Sequence, residues 1–149
     1  MSAYDEMYLS LAMTELGLML DYAVYDMKIP AKEIMDLFIS SPFAQRFEIG
    51  DTSTLAGKSG IELAMDITGN CSIRPQPVMN RSPEYWAGWA LAYYQWLTAL
   101  SFREILSFAP IEQVIDMYYK YHEMDVSHFA DRMNEMRKEK ISSSAAENG

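Results

Sequence analysis

The sequence is poor in the residues that build disulfide frameworks and metal centres. It holds one cysteine, Cys71, and two histidines, His122 and His128, in 149 residues. A single cysteine excludes a disulfide scaffold. The histidines stand six apart with Glu123 and Asp125 between them. Two ligands on one helical face need a spacing of three or four, so neither a metal nor a cofactor is expected. Seven glycines and six prolines are too few for a collagen-like or low-complexity chain. Basic residues are also scarce, twelve against 21 acids, for a net charge of −9. Most of that imbalance lies in residues 1–66, with eleven acids and four bases. Such a surface repels nucleic-acid phosphate and anionic membrane and suits a basic protein partner.

Several functional motifs are also missing. Gly57-Lys58-Ser59 before a helical segment resembles the end of a phosphate loop, but the motif needs glycine where Thr52 stands. Ser59 is accounted for as a helix cap. No spacing argues for a Ser/His/Asp, Cys/His or paired-carboxylate centre, so no catalytic residue is assigned. The longest uncharged run, residues 85–102, sits at the lower edge of a membrane-spanning length. Tyr93, Tyr94, Gln95 and Thr98 fall inside it, where a membrane helix would be most apolar. It reads as a helix of a soluble protein. The first residues lack a basic, then apolar, leader, so a cytoplasmic location is expected.

What the sequence does contain is helical periodicity. Ser2 is placed to cap a helix over residues 3–28, which Pro30 ends. Leu9, Met13, Leu16, Leu20, Ala23 and Met27 follow 4-3-4-3-4 spacing along it, the seam of a helix facing other helices. Further helices are expected over residues 30–41, with Ile34, Leu37 and Phe38 inward, and as a short turn over 43–47. Residues 50–57 read as a loop. Ser59 with Glu62, and Ser101 with Glu104, have capping-box spacing. Gly69 and Pro110 punctuate the chain, and Ser82-Pro83 starts a helix to about residue 100. Residues 70–82 form the longest irregular stretch. Asp125 or Ser127 caps a last helix carrying Phe129, Met133 and Met136. The expectation is an all-α bundle of about six or seven helices in one domain, residues 1–141, with a disordered tail at 142–149.

Two constellations stand out. On the first helix, Tyr4, Leu11, Leu18 and Tyr25 recur every seven residues on the face away from the seam, with Tyr22 beside them. Left bare, they form an apolar strip bordered by acids, suited to a protein partner or a homodimer. On the aromatic helix, Trp86, Trp89, Tyr93, Trp96 and Leu100 share one face, and Ala87, Gly88, Leu91, Gln95 and Thr98 the other. All three tryptophans of the chain are here. This helix is either plain core or the wall of a pocket. In the second case Trp86, Trp89 and Tyr93 would line it, with Arg81, Glu84 and Gln95 as polar groups.

The run Arg81-Ser82-Pro83-Glu84-Tyr85-Trp86-Ala87-Gly88-Trp89-Ala90-Leu91-Ala92-Tyr93-Tyr94-Gln95-Trp96 resembles a group of small uncharacterised bacterial proteins. Residues 57–64 and 118–125 share in the likeness, which spans most of residues 15–137. The resemblance implies an accessory or antitoxin-like role and assigns no catalytic residue. The leading expectation is therefore a non-enzymatic acidic interaction module that neutralises a basic partner. Twelve methionines, which make adaptable contacts, favour it. A small-ligand-binding module or enzyme with a pocket beside the aromatic helix is the alternative.

Overall fold

A helix buried around most of its circumference organises the molecule. The structure, a computed structural model, describes residues 2–70 and 82–148. Arg81, Cys71 and most of the expected irregular stretch lie outside the described residues. The protein is all-α, with no strand among the described residues. The central helix is α1 (Leu9–Tyr25), preceded by a 3-10 turn at Glu6–Tyr8. Then follow α2 (Ala31–Ser40), α3 (Pro42–Glu48), α4 (Thr52–Leu55) and α5 (Gly60–Thr68). The aromatic helix is α6 (Pro83–Thr98). It leads to α7 (Phe102–Phe108), α8 (Ile111–Asp116), α9 (Tyr118–Tyr121) and α10 (Val126–Asn148). Of these, α6 and α5 pack most extensively against α1.

The seam on α1 is buried at Met13, Leu16, Leu20 and Ala23, but Ala12, Met19 and Tyr22 are buried too. Close approach makes this possible. A Cβ on Gly88 would lie 2.5 Å from the Leu16 carbonyl oxygen, and one on Gly17 2.8 Å from that of Tyr85. The crossing of α1 and α6 therefore depends on bare backbone at both positions. Ser82 reinforces it. Its hydroxyl caps α6 by accepting the Tyr85 N–H and donates to Asp21 Oδ1 at 2.7 Å. Beyond α6, the rings of Phe38, Phe47 and Phe102 meet at centroid distances of 5.4–5.9 Å, joining α2, α3 and α7.

Several boundaries differ from expectation for local reasons. Asp5, not Ser2, caps the chain start, accepting from the Met7 N–H at 2.9 Å. Residues 2–4 are instead fastened to α6: the Ala3 N–H donates to the Trp96 carbonyl, and Trp96 Nε1 donates to the Tyr4 carbonyl, both at 2.8 Å. Lys28 takes a left-handed φ of 61°, which turns the chain before Pro30 is reached. Ala99 does the same at φ 59° and ends α6 two residues early. The expected loop at 50–57 contains α4, capped by Asp51, whose carboxylate accepts from Thr54. Hydrogen bonds from Ser53 first and Thr54 second hold Asp51 below the usual carboxylate range. The Ser59 cap, the left-handed Gly69 and the full Ser101–Glu104 capping box all form. α10 continues to Asn148, through most of the span expected as a tail. Nothing between Val126 and Asn148 is proline or glycine, so no residue stops the helix. No helix among the described residues is long and apolar enough to cross a membrane.

Candidate functional site: an aromatic cleft beside the tryptophan helix

The two faces of α6 divide their work in the reverse of a plain core helix. The small face, with Ala87, Gly88, Leu91 and Gln95, is fully buried against α1 and its neighbours. The bulky face lies toward the surface, where Trp89, Tyr93 and Trp96 are half-buried. Trp86, at the junction, is buried edge-on against Phe129 with ring centroids 5.3 Å apart.

Between α6 and α9 lies an open cavity of about 260 Å3. Tyr85, Trp86 and Trp89 form one wall, Tyr118 and His122 the other. The Trp86 and Tyr118 rings meet edge-on at 6.1 Å, and Tyr118 stacks on His122 at 4.1 Å. His122 Nδ1 is 2.7 Å from the Tyr118 carbonyl oxygen, which fixes the imidazole against the ring. One residue before Tyr85, Glu84 accepts a 2.7 Å hydrogen bond from the Tyr25 hydroxyl. That bond, with partial burial and nearby acids, pushes the Tyr25 phenol up to about 12. Tyr119 is among the groups acting on it and is itself largely exposed.

The expected pocket residues are only partly brought together. Trp86 and Trp89 line the cleft, and Glu84 adjoins it in sequence. Tyr93 does not line it; its ring lies 6.0 Å from that of Trp96. Gln95 is a core residue on the opposite face, 1% exposed. Its Nε2 donates to the carbonyls of Glu48 and Leu100. Arg81 lies outside the described residues. Sequence reasoning missed Tyr85, Tyr118 and His122. The last two stand at the start of α9 and just past its end, and no spacing relates them to α6.

The expected strip on α1 is interrupted. Tyr22 is fully buried and is core rather than contact surface. Tyr4 is half-buried and its ring covers Gly50. Leu11 and Tyr25 are exposed, at 46% and 45%, and Leu18 is half-buried. The strip fails to stay bare because α1 is wrapped by later helices that its own periodicity cannot reveal. Leu11 and Leu18 instead line a second cavity, of about 330 Å3, between α1 and the start of α5. Glu15 also faces that cavity. The Gly57-Lys58-Ser59 run lies on its far side, with Ser59 accepting the Glu62 N–H as a cap. Among the described residues, no group of three or more His, Cys, Asp or Glu is placed to hold a metal ion.

Comparison of the chain with protein-family models, with curated proteins and with solved structures gives no match.

Proposed function

We propose that this chain is a non-enzymatic acidic interaction module whose aromatic cleft receives a lysine or arginine side chain of a basic protein partner. The observation that carries the reading is the open cleft walled by Trp86, Trp89 and Tyr118 where a core helix would be filled. Electron-rich ring faces attract cations, most strongly tryptophan. The chain's charge of −9 favours approach of a basic partner over long range. Exposed Tyr25 and Tyr119 extend the aromatic surface, and Glu84 supplies a carboxylate beside it. Under this reading, the accessory or antitoxin-like role implied by the resemblance is neutralisation of that partner. The α1 strip contributes to contact through Leu11, Leu18 and Tyr25, and a homodimer through it has correspondingly less apolar surface to use.

The size of the cleft favours a second reading, a free small organic cation. Its volume is close to the lower end of small-molecule sites, roughly 300 Å3.

Tryptophan fluorescence tests both, because all three tryptophans lie on α6. Titration with an oligolysine peptide is expected to change the emission, weakly when salt is raised to about 0.5 M. Trp89→Ala is expected to weaken binding by about tenfold, in line with loss of one desolvated cation–π contact. An emission unchanged by the peptide but altered by tetramethylammonium would favour the small-cation reading. No response to either, or an unaltered affinity in Trp89→Ala, would remove the cleft from consideration.

A further inference from the structure

The cavity between α1 and the start of α5 is lined by a residue whose buried side chain has nothing to bond. Glu15 is 3% exposed, and neither Oε1 nor Oε2 has a hydrogen-bond partner among the described residues. Leaving a buried polar group unsatisfied is unfavourable, and native structures rarely do so without a reason. Both carboxyl oxygens are shut off from bulk solvent. Glu15 lines an open cavity of about 330 Å3. The approach of α5 holds that geometry, since a Cβ on Gly60 would collide with the Glu15 carbonyl oxygen.

The groups acting on the Glu15 carboxyl are few. Burial first and the Glu62 charge second push it up to about 9, against Lys58, which lowers it. Lys58 nonetheless does not satisfy it. Its ammonium is paired with Asp66 and sits 5.5 Å from the centre of the Phe43 ring. Tyr4, whose hydroxyl is likewise buried and unpartnered, is pushed up by burial first and by the Glu15 charge second. The remaining walls are mainly apolar, with Leu11 and Leu18 on the same helix as Glu15 and Leu55 on α4.

Two unpartnered oxygens on one carboxyl match the two parallel N–H donors of a planar guanidinium. The leucines match a short alkyl stem. We propose that this cavity binds a small alkylguanidinium, paired two-pronged with Glu15 and with its stem against Leu11, Leu18 and Leu55. Binding ionises the acid: the Glu15 proton leaves to solvent, and the carboxylate formed pairs with the incoming cation. This site is separate from the aromatic cleft and goes beyond the function proposed above.

Isothermal titration calorimetry of the full chain with butylguanidinium tests the site, with butylurea as the uncharged mimic. Affinity is expected to rise about tenfold per pH unit between about pH 6 and about pH 8, because binding removes a proton from the acid. Paired buffers of different ionisation heat should report release of close to one proton per ligand, and butylurea should not bind. Glu15→Gln, isosteric with the neutral acid, is expected to fold and lose the binding, while Trp89→Ala keeps it. Absence of binding to the wild type, an affinity independent of pH, or equal binding by Glu15→Gln overturns the proposal. Binding lost in Trp89→Ala but kept in Glu15→Gln also overturns it, and would assign the cation to the aromatic cleft instead. If Glu15→Gln does not fold, proton release and pH slope in the wild type decide alone.

Discussion

At the scale of single residues, the neutral state of Glu15 has a consequence for folding as well as for binding. The unfolded chain releases this proton in the ordinary carboxylate range, whereas the folded protein holds it up to about 9. Between those two values the folded state binds more protons than the unfolded one. Stability contributed here is therefore present at low pH and lost as pH rises through that window, at up to about 1.4 kcal/mol per pH unit. Glu15→Gln cannot ionise. It is expected to be more stable than the wild type at about pH 8 and to show a flatter profile. Urea midpoints of the two proteins at about pH 5, 7 and 9 check this, and parallel profiles would show that Glu15 is not the group responsible. A hydrophobic-period reading places Glu15 among polar border residues. Only the arrival of α5 at Gly60 buries it.

At the scale of elements, the 100° rule divides α6 into a bulky face and a small face that lets a neighbouring helix come close, and α1 packs on the small one. Bulk alone suggests that the tryptophan face is the deeper one. The contact with α1 instead selects the small face, because Gly88 permits a backbone approach that a tryptophan would prevent. Trp86 and Trp89 then differ in a measurable way. Trp86 is 8% exposed and packed on Phe129, so Trp86→Ala should destabilise by about 3–5 kcal/mol. Trp89 is half-buried at the cleft, so Trp89→Ala should remain below about 2 kcal/mol. Chemical denaturation separates them, and equal losses would mean that the cleft is part of the core. Tyr118 and His122 were invisible as partners of this helix. They sit about thirty residues downstream, and their stack depends on the backbone turn at α9.

For the molecule as a whole, one core collects buried side chains from helices spread between Ala12 and Met136. In α10 the inward residues are Phe129, Ala130, Met133 and Met136, whereas residues 137–143 are exposed. The turns over residues 137–143 therefore carry helical hydrogen bonds with exposed side chains. Ending the chain after Lys140 is expected to lower stability by less than about 0.5 kcal/mol, as for surface changes generally. A melt of the shortened protein checks it, and a loss of several kcal/mol would imply a contact for the terminal turns. The small, polar composition of residues 142–148 signals a poor core and says little about backbone propensity.

What the sequence by itself determined is the helical class and most of its punctuation. Serine caps at Ser59, Ser82 and Ser101, the glycine at Gly69, and the seam on α1 act over three or four residues, so their outcome is local. What the tertiary structure decided is which faces meet. Tyr22 became core, Gln95 turned inward to bond Glu48 and Leu100, and the cleft took Tyr118 and His122 from a distant part of the chain. These are settled by close approach at Gly17, Gly60 and Gly88. Periodicity specifies the angle of a side chain about its own helix axis. It does not specify which other helix will stand opposite, and burial, cavities and perturbed protons all follow from that second fact.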